Sequence, residues 1–288
     1  MIELPGPVRE ALSGRRALIV FAAANLVFLL LDVAIAHSAF FRSPAELIPL
    51  FVSGIGGPLA LLVALLPRSA WSRGLLWIVA AAALATGIAG LVLHVGAESL
   101  MRPTLHRLVY SAPVIAPLSY AGLGVLLLAA EHARDELQRG RWVELLTGLG
   151  LFGNFALCLL DHAQNGFWAP IEWISVAAGA LGGLAFVTAA AQREEHVNER
   201  LFLWIVVALM AGTGVLGAAL HLRAVLASTA ASLLQRVQYG APVFAPLLYV
   251  DLAVLGAMGL LARASPSRGT SVVAGFGRGQ DHPGRTGA

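Results

Sequence analysis

The chain has 288 residues, 58% of them hydrophobic and only 12% charged, and its mean hydropathy is +0.79. Because soluble domains carry roughly 25% charged residues, this composition argues against a water-soluble fold and indicates lipid as the solvent. The net charge is +3, and all 19 basic residues are arginines in short loops, so we expect no nucleic-acid partner. The single cysteine, Cys158, excludes an internal disulfide and a cysteine-based zinc site.

Eight apolar stretches come close to the roughly 20 residues that a membrane-spanning helix needs. The first follows two arginines and resembles a signal peptide, but its counterpart later in the chain argues against its removal. The Gly-, Ser-, Arg- and Pro-rich segment 263–288 is expected to be a disordered tail. In chain order the predicted spans are 17–36, 45–66, 72–96, 110–131, 143–162, 169–191, 201–222 and 239–262.

The distribution of arginines predicts the orientation of these spans. Fourteen of the 19 lie in the N-terminal segment, the tail and the loops 67–73, 132–142 and 192–200. Since cytoplasmic loops carry the excess of basic residues, we expect both termini in the cytoplasm of a bacterium, with the spans in its inner membrane. The outer loop 223–238 is predicted to form a helix along the membrane surface.

An internal repeat relates the two halves of the chain. The segment Tyr110–Tyr120 (YSAPVIAPLSY) recurs as Tyr239–Tyr249 (YGAPVFAPLLY) with eight of eleven positions identical. We therefore predict an all-α membrane protein of two parallel four-helix repeats, related by a pseudo-two-fold axis along the membrane normal. The predicted parts are a cytoplasmic N-terminal segment at 1–16, repeats at 17–131 and 143–262, a cytoplasmic linker at 132–142, and the tail.

The repeat also pairs six ionisable residues, all predicted near the outer ends of their helices. Ionisable groups at membrane depth usually face a partner or a water-filled cavity. Four carboxylates and two imidazoles are also the ligand types of dinuclear metal sites in helical bundles. We therefore predict one or two transition-metal ions, of iron, manganese, zinc or copper. The predicted ligands are Asp32, Glu46, His94, Asp161, Glu172 and His221.

Other polar residues are expected to support these ligands. Tyr110 and Tyr239 are predicted to open the fourth and eighth spans, where they would hydrogen-bond the ligands or act as redox-active groups. Asn25 and Asn154 each lie seven residues before a predicted aspartate ligand, on the same helical face. Further candidates on the outer side are His37, His162 and Asn165, and the two histidines occupy positions that do not match in the repeat.

Each of these features also has a structural interpretation. The segment Ser43-Pro-Ala-Glu46 is a capping box, and Ala169-Pro-Ile-Glu172 keeps its proline and glutamate, so capping could explain both glutamates. The aspartates and histidines could be held in interhelical networks. Two prolines four residues apart must break the start of a helix, so the repeated proline motif is interpreted mainly as architectural.

Four functions remain open from the sequence. A membrane-embedded metal-binding protein, with oxidoreductase activity as its extension, is favoured by the outer position of the ionisable residues. A proton- or cation-coupled secondary transporter usually has its site near the midplane. The third is a heme protein with His94 and His221 as axial ligands, and the fourth is an accessory subunit of a membrane complex. The lipid bilayer is the expected partner, with another membrane protein or a second copy as candidates.

Overall fold

The computed structural model describes residues 5–38, 43–101, 104–110, 112–192, 197–230 and 232–264, and every regular element in these ranges is helical. The predicted tail lies outside them from residue 265 onward. The first half contains α1 (Gly6–Ser13), α2 (Arg15–His37), a 3-10 helix (Pro44–Leu47), α3 (Ile48–Leu65), α4 (Ala70–Met101), α5 (Leu105–Tyr110) and α6 (Leu118–His132). The second half contains α7 (Glu136–Gln164), α8 (Glu172–Ala191), α9 (Val197–Ala227), α10 (Leu233–Tyr239) and α11 (Leu247–Arg263).

Six helical segments in the described ranges are long and apolar enough to cross a membrane, which indicates a multi-pass membrane protein in a lipid bilayer. The predicted surface helix at 223–238 is divided in the structure, because α9 continues to Ala227 and α10 begins at Leu233. The six segments are Gly6–His37, Pro44–Leu65, Ala70–Gly96, Glu136–Gln164, Glu172–Ala191 and Val197–Ala227.

The helices α6 and α11 are shorter than the spans predicted for them, with 15 and 17 residues. At 1.5 Å per residue they cover about 22 and 26 Å, against roughly 30 Å of hydrocarbon. Pro117 and Pro246 stand at their N-caps, where proline ends any helix that arrives from before it. The prediction that Tyr110 and Tyr239 open these spans is therefore wrong: they end the separate short helices α5 and α10.

Each half has its own hydrophobic core. The first is built mainly from α2, α3, α4 and α6, with Leu26 and Leu127 fully buried in it. The second is built from α7, α8, α9 and α11, with Leu151 and Phe186 fully buried. Burial of these apolar faces against one another holds the helices in two groups, and each group contains the four corresponding helices of one half.

Close crossings of α4 with α6 and of α9 with α11 depend on glycines at matching positions of the repeat. A Cβ added at Gly87 would lie 2.5 Å from the backbone nitrogen of Ala121. A Cβ at Gly214 would lie 2.7 Å from the side chain and 2.9 Å from the nitrogen of Val250. Both glycines therefore permit a backbone approach that no larger residue allows.

The second tyrosine of the repeated motif is buried in both halves and ties one helix to its neighbour. The Tyr120 hydroxyl donates to the Pro49 carbonyl at 3.1 Å and shares a hydrogen bond of 2.7 Å with Ser53. The Tyr249 hydroxyl donates to the Ser175 carbonyl. Pro49 and Ser175 match in the repeat, so the same bond joins α6 to α3 and α11 to α8. These contacts agree with the architectural interpretation of the motif.

One end of the bundle, here called the arginine end, holds a buried ion pair in each half. Arg15 on α2 binds Glu131 on α6 at 2.6 Å, and Arg68 binds the same carboxylate at 2.9 Å. Glu144 on α7 binds Arg263 on α11 at 2.6 Å. Arg15 and Glu144 occupy matching positions but carry opposite charges. The pair of the first half therefore has its arginine on α2 and its carboxylate on α6, whereas the pair of the second half has its carboxylate on α7 and its arginine on α11.

Candidate functional site

Two histidines of the first half meet at the end of the bundle opposite the arginine end, here called the histidine end. His37 lies at the C-terminus of α2, and His94 lies on α4 just before the kink at Gly96. Their ring centroids are 6.5 Å apart. The Nδ1 atom of His94 lies 2.9 Å from the Pro113 carbonyl, and that of His37 lies 3.1 Å from the Val33 carbonyl.

The second half repeats this arrangement. The ring centroids of His162 on α7 and His221 on α9 are 6.4 Å apart. The Nδ1 atom of His221 lies 2.8 Å from the carbonyl of Pro242, the counterpart of Pro113. The Nδ1 atom of His162 lies 3.2 Å from the Glu172 carboxylate.

The contacts of Nδ1 determine what each of the four imidazoles can do with its other nitrogen. A carbonyl oxygen accepts a hydrogen bond, so Nδ1 of His37, His94 and His221 carries the proton and donates it. At His162 the Glu172 carboxylate beside Nδ1 favours a proton on that nitrogen. A neutral ring then keeps a lone pair on Nε2. Within the described part of the chain, Nε2 of these four histidines has no hydrogen-bond partner. Each half therefore presents two Nε2 donor atoms.

The sequence repeat did not predict that His37 and His162 play the same part. The counterpart of His162 is Val33, four residues before His37. Four residues are about one helical turn, which keeps both side chains on the same face of the helix. The signal that finds this pairing is helical spacing at the end of α2, rather than identity at a fixed offset.

The two predicted aspartate ligands lie near these pairs. Asp161 interacts electrostatically with His162 and His221, and Asp32 with His37. Each histidine pair therefore has one aspartate carboxylate in its vicinity.

The predicted glutamate ligands take part in capping at the starts of their helices. The Glu172 carboxylate accepts from the backbone nitrogen of Ala169 at 3.3 Å, so the capping interpretation is confirmed there. Its other oxygen is the one beside His162. In the first half the Ser43 hydroxyl accepts from the nitrogen of Ala45 at 3.2 Å, and Glu46 lies inside the 3-10 helix that Ser43 caps.

Three of the predicted supporting residues have neighbours other than the predicted ligands. Tyr110 and Tyr239 are 59% and 67% exposed, and the Tyr110 ring packs 4.7 Å from His106. Asn165 accepts a hydrogen bond from the nitrogen of Phe167 at 3.0 Å, in the turn that follows α7. In the described part of the chain none of the three contacts a predicted ligand.

Asn25 instead belongs to a polar contact that the sequence analysis missed. Its amide donates to the Asp251 carboxylate at 2.9 Å, which joins α2 of the first half to α11 of the second. Asn25 lies near the middle of α2, so this contact is far from both ends of the bundle. The signal was available, because Asp251 is the one acidic residue in the last apolar stretch.

Asn154, the counterpart of Asn25, has no such acidic partner. It is 4% exposed, its oxygen lies 4.0 Å from the Cys158 sulfur, and its amide nitrogen has no hydrogen-bond partner in the described residues. The position that matches Asp251 is Gly122. The two halves thus differ where they face each other.

The six predicted ligands fall into two groups, one in each half. In the described part of the chain no three histidine, cysteine, aspartate or glutamate side chains are close enough together to hold a metal ion. In the described chain no hydrogen bond or ring contact joins His94 to His221; each lies beside a histidine of its own half. No protein-family model, curated protein or solved structure matches this chain.

Proposed function

We propose that the chain crosses a bacterial inner membrane eight times, as two parallel four-helix repeats with both termini in the cytoplasm. The proline-broken segments before α6 and α11 would complete the two shorter crossings. Contacts between the halves support the pseudo-two-fold axis. Phe28 on α2 packs 5.5 Å from Phe244, just before α11, and Gly153 on α7 faces Ile115, just before α6. Phe244 and Ile115 match in the repeat, and their partners lie on matching helices about one turn out of register.

We further propose that the histidine end binds two transition-metal ions, one in each half, rather than one shared dinuclear centre. The observation that carries this proposal is the state of the imidazoles. His37, His94 and His221 are held by a carbonyl through Nδ1, Nδ1 of His162 lies beside the Glu172 carboxylate, and Nε2 of all four has no partner in the described residues. Metal-binding histidines usually donate their other ring nitrogen to a carbonyl or carboxylate, which fixes the ring and its tautomer. With metal–nitrogen distances of about 2.0–2.1 Å, two imidazoles on one ion have centroids roughly 5 Å apart in tetrahedral geometry and roughly 6.5 Å apart when they bind on opposite sides of the ion. The observed separations of 6.5 and 6.4 Å fit the second arrangement.

The carboxylates take different parts in this arrangement. Glu172 lies 3.2 Å from Nδ1 of His162, where it could take the part of the carboxylate in carboxylate–histidine–metal sites. Asp32 and Asp161 would supply negative charge near each pair. Zinc, copper and iron fit imidazole ligands, whereas manganese prefers oxygen. Oxidoreductase activity is proposed only with copper or iron, because zinc does not change its oxidation state.

Metal content tests this proposal directly. The protein is purified in mild detergent without chelators, and bound metals are measured by inductively coupled plasma mass spectrometry. We expect two equivalents in the wild type, one each in His94→Ala and His221→Ala, and none in the double variant. His132→Ala is the matched control, because His132 also binds a carbonyl through Nδ1 but lies at the arginine end. Metal-free wild type, or a folded double variant that keeps its metal, would reject the proposal.

A proton- or cation-coupled transporter is the second candidate, and the pair of Asn25 and Asp251 favours it. An acidic residue near the middle of the bundle, between two repeats, has the position of transporter sites. Cation flux driven by a pH gradient is measured in proteoliposomes. Flux that is lost in Asp251→Asn but kept in the double histidine variant would support the transporter, and absence of flux in the wild type would remove it. The heme and accessory-subunit hypotheses have no contact that favours them.

A further inference from the structure

A cavity of about 290 Å³ opens at the arginine end, between the start of α4 and the end of α6. Its lining includes Arg68, Arg73, Trp77, Glu131 and His132. None of these residues was predicted to belong to a site, and none takes part in the histidine clusters.

The cavity carries more positive than negative charge. Its one carboxylate, Glu131, has a side chain only 2% exposed and is bound by both Arg15 and Arg68. The Arg73 guanidinium makes no hydrogen bond or ion pair within the described residues, although it lines the same cavity. Two guanidinium groups satisfy the buried carboxylate, and a third is left for an anion.

A histidine adds a further polar donor or acceptor to the wall. The Nδ1 atom of His132 lies 3.0 Å from the Leu128 carbonyl, and its ring packs edge-on against Trp77 at 4.9 Å. Nε2 has no partner in the described chain. The ring is thus fixed by two contacts and keeps one nitrogen for a ligand.

The tryptophans place the cavity at the level of the lipid headgroups. Trp71 is 72% exposed and Trp77 is 48% exposed, both in the first turns of the membrane-length helix α4. Tryptophan is enriched where the hydrocarbon meets the headgroups. A ligand in this cavity would therefore sit beside the phosphates of the bilayer.

We propose that this cavity binds the phosphate of an anionic phospholipid headgroup. Arginine recognises phosphate through charge-assisted, often paired hydrogen bonds, and basic pockets between helices on the cytoplasmic side bind such headgroups. The second half lacks the cavity's acidic and imidazole groups, because Leu260 and Leu261 replace Glu131 and His132 at the matching positions. The protein therefore binds one such lipid, on its first half.

Native mass spectrometry of the whole protein in detergent tests the proposal. Phosphatidylglycerol and cardiolipin are titrated against phosphatidylcholine, with inorganic phosphate in a separate series. We expect one anionic lipid to bind in preference to phosphatidylcholine, with affinity about fivefold weaker in Arg73→Gln, since a basic residue near an anionic surface contributes about that much. Arg200→Gln is the matched control, because Arg200 is the counterpart of Arg73 in the half without the cavity.

Each outcome decides the proposal. Selective loss in Arg73→Gln, with Arg200→Gln like wild type, supports the site. Equal lipid binding by the two variants and the wild type overturns it. Phosphate that binds alone and removes the preference among lipids assigns the cavity to a soluble phosphate and overturns the lipid. Arg73 makes no contact that folding needs within the described residues, and the thermal unfolding midpoint checks that each variant is folded.

Discussion

The two halves share several contacts within each half. They differ in their buried ion pairs and at the residues through which one half contacts the other. In both, a buried tyrosine binds the carbonyl of a neighbouring helix, and a histidine binds the carbonyl of a matching proline. Both also cross their third and fourth long helices at a glycine. These contacts depend on backbone geometry, so a change in one partner cannot be offset elsewhere. They are the part of the repeat that sequence identity still reveals.

The ion pairs at the arginine end follow a different rule. Arg15 and Glu144 match in position but carry opposite charges, and each has a partner of the opposite sign on the last helix of its own half. A buried charge is costly unless it is paired. The pair can form with the arginine on either of the two helices, provided that the carboxylate lies on the other. Comparison of the halves thus indicates that each has a buried pair between the same two helices, with opposite polarity and with partners on the last helix that do not match in position.

Breaking the pair of the second half should have the largest effect. In Arg263→Gln the Glu144 side chain, which is 0% exposed, loses the guanidinium that lies 2.6 Å away. Removal of one partner of a buried pair lowers the free energy of unfolding by about 3–5 kcal/mol, measured by denaturant titration in mixed micelles. Arg15→Gln should also lower the free energy of unfolding, and Arg68, which still binds Glu131, should limit that loss.

The matched control neutralises both partners together. Glu144→Gln with Arg263→Gln should be clearly more stable than Arg263→Gln alone, because the carboxylate is no longer left charged. A double variant as unstable as the single one would show that the side chains, rather than their charges, hold the two helices.

The glycine crossings test whether the halves respond alike. Gly87→Ala and Gly214→Ala each place a Cβ within 3 Å of the facing helix, and such overpacking costs about 1–3 kcal/mol. We expect losses of similar size from the same titration. Gly212→Ala is the control, since a Cβ there has nothing within 4 Å and alanine favours the helix. A loss confined to one half would mean that only that crossing is tight.

The tyrosine bonds should give a smaller change. Tyr120→Phe and Tyr249→Phe each remove a hydroxyl that donates to a carbonyl on the neighbouring helix. The net loss for one such bond is about 0.5–1.5 kcal/mol. Tyr110→Phe and Tyr239→Phe, at the exposed first tyrosines of the same motif, serve as controls and should leave stability unchanged. Equal losses at all four positions would contradict the assigned bonds.

Apolar periodicity and self-similarity predicted the helices, the membrane and the architectural role of the proline motif. Three features were not predicted, each for a physical reason. Proline shortened α6 and α11, because a ring at the N-cap stops the helix whatever the hydropathy before it. The ion pairs escaped the comparison of the halves because reversed charges are not identical residues. Asp251 escaped it because its counterpart is Gly122.

The candidate site was predicted in part. The duplicated histidines were recognised, but their partners were not, since His37 and His162 lie one turn apart in the repeat. A search for identity at a fixed offset separates them, whereas a helix brings both to the same face. The grouping into two pairs could be seen only once α2 and α4, and α7 and α9, were placed side by side.

Moving one histidine by a turn should leave the metal content unchanged and so test that equivalence. His37→Ala alone is expected to lose one of two metal equivalents, because the first half would keep only the Nε2 donor of His94. Adding Val33→His gives the first half the register of the second, where His162 already pairs with His221 at 6.4 Å. The combined variant should again bind two equivalents, measured by the same mass spectrometry. If it folds but binds only one, the two registers are not interchangeable, and the halves hold their ions in different ways.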